Sequence, residues 1–177
     1  MQHEPKTRGF TIVELMVTLA VAAILMGFAV PAFNDFVRQR TMTSAANDLV
    51  LAVTFARSEA IRRGGLVSVQ AYDDENDNEW GLGYCVVVGD EDCEDADEED
   101  VLRRFAPIGD GFTFDATAGR PTTGRLTFNG RGMLTPLPGV AGRIELCSTD
   151  ESVSRGRRIM LSVIGQPDVQ DHEECHA

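Results

Sequence analysis

Arg8-Gly9-Phe10-Thr11-Ile12-Val13-Glu14-Leu15 leads into LMVTLAVAAILMGFAVPAF, the run from Leu15 to Phe33. Those 19 residues carry no charge. About 20 apolar residues are needed to cross a bilayer as a helix. A cleaved secretory signal has a shorter apolar core, roughly 7–15 residues, ending at a small-residue site. Here the run is longer and passes into more helix-forming sequence. Lys6 and Arg8 precede it, which places the N-terminus in the cytoplasm and the rest of the chain outside. Arg38 and Arg40, just past the far end, oppose that assignment. Glu14 stands at the edge of the run, where a carboxylate in hydrocarbon costs about 2.5–3.5 kcal/mol. It either marks the interface or serves a function. Pro31 removes one backbone donor inside the run and bends the helix there.

Outward from this segment the helical pattern continues from Asn34 to Arg63. Met42, Ala46, Leu49, Val53, Ala56 and Ala60 recur at steps of three and four, which marks one apolar face. Gly64-Gly65 supplies the stop. Beyond it the apolar runs shorten to strand length: Leu66–Tyr72, Trp80–Val88, Val101–Phe105, Phe112–Ala116, Leu126–Asn129, Arg143–Cys147 and Arg158–Val163. Clusters of Gly, Pro and Asp separate them. The pattern predicts an α+β fold, one long helix laid on antiparallel sheets. The chain divides into a leader (1–9), an apolar helix (10–33), an amphipathic continuation (34–63) and a β-rich domain (64–177).

The 177 residues include 28 acidic and 16 Lys+Arg side chains, a formal net charge of −12. Residues 73–115 alone hold 16 acidic and 2 basic groups, whereas residues 116–169 hold 7 basic and 4 acidic. That balance argues against a generally basic nucleic-acid binder. The acidic stretches Asp73–Glu79 and Asp90–Asp100 offer many oxygens to calcium, but the ordered spacing of an EF-hand loop is missing. Solvated loops are the simpler reading. Cys85, Cys93, Cys147 and Cys175 match no common zinc spacing. Outside the cytoplasm, four cysteines allow three disulfide pairings. Cys85–Cys93, closing the acidic loop, and Cys147–Cys175, pinning the tail, are the favoured ones. His3, His172 and His176 lie in the leader and tail, and no P-loop, Gly-x-Ser-x-Gly or His-Glu-x-x-His occurs. No enzyme and no cofactor is expected.

The segment from Arg8 to Leu15 resembles the type III signal of type IV pilins and type II secretion pseudopilins. The resemblance implies that a prepilin peptidase cuts between Gly9 and Phe10 and methylates Phe10. Glu14 then becomes the fifth residue. It would pair with the N-terminal amine of a neighbouring subunit's Phe10 and set subunit register, since a buried carboxylate seeks a cation. Further on, Ala56-Arg57-Ser58-Glu59-Ala60-Ile61-Arg62-Arg63, Trp80-Gly81-Leu82-Gly83-Tyr84, Phe128-Asn129-Gly130-Arg131-Gly132 and Arg157-Arg158-Ile159-Met160-Leu161-Ser162 are similar, in order, to segments of the FimT/GspH family. Trp80 is expected in the core, the glycines in turns, and Arg57 and Glu59 on a solvated helix face.

Membership in that family implies a minor pilin or pseudopilin, acting at the initiation or tip of a pilus or secretion pseudopilus. Its partners would be prepilin peptidase, other minor subunits, the major subunit and inner-membrane lipid. It would be a single-pass inner-membrane protein with a periplasmic domain. An alternative is DNA binding for natural transformation. Some FimT-like proteins use a Gly-Arg-x-Arg element near the C-terminus, but at the matching place this chain reads Gly165-Gln166-Pro167-Asp168. Arg155, Arg157 and Arg158 would have to substitute.

Overall fold

The computed structural model describes residues 10–72, 78–116, 124–135, 142–150, 155–162, 164–173 and 175. The leader, with Gly9, and the acidic residues 73–77 lie outside the described residues. Two units are distinguished, one ending at Val37 and one running from Arg38.

The first unit is the opening of α1, a helix spanning Ile12–Arg63. Its large apolar side chains, from Ile12 through Phe36, are exposed. This stretch is apolar and long enough to cross a membrane. Pro31 lies inside the helix without ending it.

In the second unit α1 continues to Arg63. Met42, Ala46, Leu49, Ala52, Val53, Ala56 and Ala60 are each 3% exposed or less. The spacing is that of one helical face, and four alanines let the backbone lie close to its neighbours. The helix stops where Gly64 takes φ 68° and donates its N–H to the Ala60 carbonyl at 2.9 Å. A left-handed residue there costs glycine little.

Nine strands follow among the described residues. β1 (Val67–Ala71), β2 (Tyr84–Val88), β3 (Val101–Phe105), β5 (Arg125–Phe128) and β6 (Leu134–Thr135) form one sheet, in the order β3-β2-β1-β5-β6. β4 (Phe112–Ala116), β7 (Gly142–Ser148), β8 (Gly156–Leu161) and β9 (Pro167–His172) form the second, in the order β4-β7-β8-β9. Every pairing is antiparallel. The first sheet and the helix share a core in which Val67, Val69, Val86, Leu126 and Phe128 join the α1 stripe, and Ile144, Leu146, Ile159 and Leu161 enter from the second sheet. The α+β expectation therefore holds, down to the boundaries of β3 and β4.

Two strands exceed the sequence reading. β6 has only two residues. β9 occupies the stretch read as a tail, so Gly165-Gln166 lies in the β8–β9 turn and Pro167-Asp168 opens β9. Trp80 to Gly83, expected as strand, forms turns before β2. Trp80 is nonetheless core: it is 1% exposed and meets Tyr84 edge-on at 5.7 Å between ring centres. Tyr84 in turn stacks on Phe105 at 4.7 Å. Burial lifts the Tyr84 phenol above its ordinary pKa, and the Asp48 carboxylate adds to this.

Every residue of β1 is buried, which requires cover on both faces. Val67, Val69 and Ala71 belong to the main core. On the other side, Cys85, Val87, Cys93 and Ala96 form a second cluster beneath the loop that follows β2.

Candidate assembly site and its relatives

The N-terminal unit presents its candidate residues on one turn of helix. Thr11 precedes α1 and caps it: its Oγ1 accepts the Glu14 N–H at 3.2 Å, and its carbonyl accepts the Leu15 N–H at 3.1 Å. A threonine three residues ahead of a glutamate is a capping arrangement that satisfies helix-terminal N–H groups. Thr-x-x-Glu before an apolar run is the sequence signal of this cap. Glu14 sits in the first turn, where a carboxylate meets the positive end of the helix dipole. Among the described residues no basic group pairs with it. Phe10 is 85% exposed. Among the described residues the Glu14 carboxylate is thus positioned but unpaired, at the head of a helix whose large apolar side chains are exposed.

The remaining candidates lie in the second unit. Arg157 contacts Asp171 and donates to Thr43 Oγ1 at 3.3 Å. Arg158 donates from Nε to Glu145 Oε1 at 2.9 Å and from Nη2 to His172 Nδ1 at 2.7 Å. Both arginines therefore fasten β8 to its neighbours rather than present charge to a phosphate backbone. Arg155 is exposed beside them, next to Asp171 and Glu173 in one shallow cleft.

Arg57, expected on a solvated face, is partly buried and donates from Nε to the Gly132 carbonyl at 3.0 Å. Glu59 accepts from Arg63 Nε at 3.0 Å and also pairs with Arg62. Hydrogen bonds from Arg62 and then Arg63 lower its pKa from 4.5 to about 2.

The disulfides are Cys85–Cys93 and Cys147–Cys175. The first ties the acidic loop to β2 and the second ties the segment after β9 to β7. His172 is 5% exposed and adjoins the second bridge. Sulfurs already bonded to each other offer no thiolate to a metal.

A capped apolar helix carrying one early carboxylate, followed by a helix face buried on antiparallel sheets, defines the pilin-like class of proteins. Comparison with known proteins gives the same class. Residues 5–30 match the prokaryotic N-terminal methylation motif, and residues 45–165 match the type II transport protein GspH. The chain belongs to the GspH family.

Among sequence relatives, the pilin-like protein PilA1 of Thermus thermophilus is 36% identical over 110 residues, covering 62% of this chain and 58% of that protein. The type IV major pilin PilA of Myxococcus xanthus is 27% identical over 122 residues, covering 66% and 56%. The chain thus spans little more than half the length of these curated relatives. Among solved structures, the type IV minor pilin FimU of Pseudomonas aeruginosa superposes with TM-score 0.62 at 23% identity, covering 80% of this chain and 99% of FimU. The minor pseudopilin EpsH of the Vibrio cholerae type 2 secretion system gives TM-score 0.50 at 12% identity, covering 73% and 95%. These likenesses show the fold.

Proposed function

We propose that this protein is a filament subunit, a minor pilin or pseudopilin that takes part in starting or tipping a type IV pilus or a type II secretion pseudopilus. The observation that carries the reading is Glu14, unpaired among the described residues, four residues after Phe10, on an apolar helix in a chain of the GspH family. Prepilin peptidase cleaves between Gly9 and Phe10 and methylates the new N-terminus. The apolar helix holds the protein in the inner membrane with its β-rich domain in the periplasm. Glu14 then pairs with the Phe10 amine of an adjacent subunit, major or minor. Pairing removes the cost of an isolated carboxylate in hydrocarbon, so assembly is favoured only in the matching register. This role is structural and needs no catalytic residue.

Mass spectrometry of the protein from sheared filaments and from membranes tests the proposal. The expected N-terminus is methylated Phe10 in both, and Gly9→Ala leaves only the uncut form. An intact leader on the filament-associated protein overturns the reading.

A further inference from the structure

Thr41, Ser44, Ala45 and Asp48 follow one another at steps of three, one and three, so they share a face of α1 beside its buried stripe. Their side chains are short. Together with Trp80, Tyr84 and Phe105 they enclose a cavity of about 230 Å³. Pockets for drug-sized ligands run to roughly 300–1,000 Å³, so this one suits a single side chain. Its aromatic wall is fixed from behind. The Trp80 N–H donates to the Phe114 carbonyl at 3.0 Å, and the Ile108 N–H donates to the Gly81 carbonyl at 3.0 Å. Trp80 meets Tyr84 edge-on, and Tyr84 stacks on Phe105. Trp80 and Tyr84 are core residues, 1% and 3% exposed. Ser44, Asp48, Ala106 and Pro107 line the cavity too and are exposed, so they form its mouth.

Among the described residues Asp48 is the one charged side chain in that lining, and no cation pairs with it. Arg103, the neighbouring cation, lies over the Phe105 ring instead, 4.9 Å from its centre. The carboxylate acts on the cavity wall: burial lifts the Tyr84 phenol above its ordinary pKa, Asp48 adds to this and Arg103 opposes it. Apolar walls, a convergent polar group and a perturbed titratable side chain together mark a place where ligands bind.

We propose that this cavity receives an arginine side chain presented by a partner protein. The guanidinium donates to the Asp48 carboxylate at the mouth, and the apolar stem lies along Pro107 and the aromatic wall. An apolar side chain would cover Asp48 without pairing it, which costs free energy. An acidic one would be repelled. Arginine suits the site better than lysine because its planar head is less strongly hydrated and packs on rings. Arg103 on Phe105 shows that this aromatic group already holds one guanidinium. The surrounding charge favours a second cation, since residues 73–115 hold 16 acidic groups and 2 basic ones. Arginine is also among the side chains that anchor protein interfaces by filling such pockets. The cavity belongs to the β-rich unit alone, so the inference stands whether or not the filament reading does.

Trp80 is the chain's single tryptophan, so its fluorescence reports on the cavity. The full chain, in uncharged detergent micelles, is titrated with N-acetylarginine amide. For a ligand of that size a Kd on the order of 1 mM is expected. N-acetylcitrulline amide, the uncharged isostere, binds at least about tenfold more weakly, and N-acetyllysine amide at least about threefold more weakly. Asp48→Asn and Ser44→Leu alter exposed positions, so the fold survives. The first weakens arginine binding at least about tenfold. The second fills the mouth and abolishes it. Glu98→Gln removes the same charge at an exposed position outside the cavity and leaves binding within about twofold. No fluorescence response in the wild type overturns the proposal. So does citrulline binding as tightly as arginine, which would mean an apolar slot, or lysine doing so, which would mean no recognition of the guanidinium. An equal loss in Glu98→Gln overturns it as well, since that means diffuse attraction to an acidic surface.

Discussion

Glu14 and Glu59 are both glutamates on α1, and their surroundings give them opposite tasks. Glu14 has no cation among the described residues, and in the proposed assembly its partner arrives with another molecule. Glu14→Val keeps the apolar character of the segment and removes only the charge. Membrane insertion should persist, while the amount recovered in filaments or secretion complexes falls at least about tenfold, the factor for losing 1.4 kcal/mol of a buried pair worth more than that. Wild-type recovery would count against the pairing. Glu59 already has its cations. Its folded pKa is depressed from 4.5 to about 2, so the contribution is complete above pH 4.5 and fades as pH falls from there toward 2. Glu59→Gln should remove that acid-side slope and leave stability near neutrality almost unchanged, because exposed pairs contribute little and salt screens them. Thermal melts across that pH range, at low and at high salt, measure it.

At the scale of elements, legibility followed hydrophobic pattern. The α1 stripe repeats over five turns, and each of its six residues named from sequence is buried. β3 and β4 are apolar-rich and bounded by turn residues, so their ends could be read. β9 could not: Pro167-Asp168-Val169-Gln170-Asp171-His172 is polar and opens with proline, which counts against a strand. It forms because β8 offers a free edge, and an edge strand needs no apolar face. The site was unevenly legible for a similar reason. Glu14 stands out as a charge in an apolar run. The bond from Arg57 to the Gly132 carbonyl joins residues 75 positions apart, and no local pattern encodes that. The turn after β5 shows how strictly tertiary contact can constrain one element. A Cβ on Gly130 would lie 2.6 Å from the Gly64 carbonyl carbon, backbone against backbone. Gly130→Ala must push the turn off the helix end, at a cost of about 1–3 kcal/mol. A chemical-denaturation midpoint equal to wild type would show that the turn yields freely.

At the scale of the molecule, the two sheets solve the same problem with the same device. Each carries a polar segment that cannot hold itself down by burial, and a disulfide closes over it. In the first sheet the bridge holds the acidic loop over β1, where like charges would otherwise drive it into solvent. In the second, Cys147–Cys175 follows β9, a strand whose four middle residues are exposed. Its register with β8, the Arg157–Asp171 and Arg158–His172 contacts and this bridge retain it. Gly156 lies under the bridge, close to Cys175 and to the Leu146 carbonyl, so the strands can approach there only because a side chain is missing. Replacing Cys147 and Cys175 together by serine removes a cross-link spanning 28 positions. By the chain-entropy model that costs about 2–4 kcal/mol. The loss should be local before it is global. Amide hydrogen exchange in β9 should quicken well beyond the change in β1 and β2, since opening of an edge strand need not disturb the helix–sheet core. Uniform quickening across both sheets would instead mean that the two sheets unfold as one unit, and that β9 belongs to the core energetically despite its exposure.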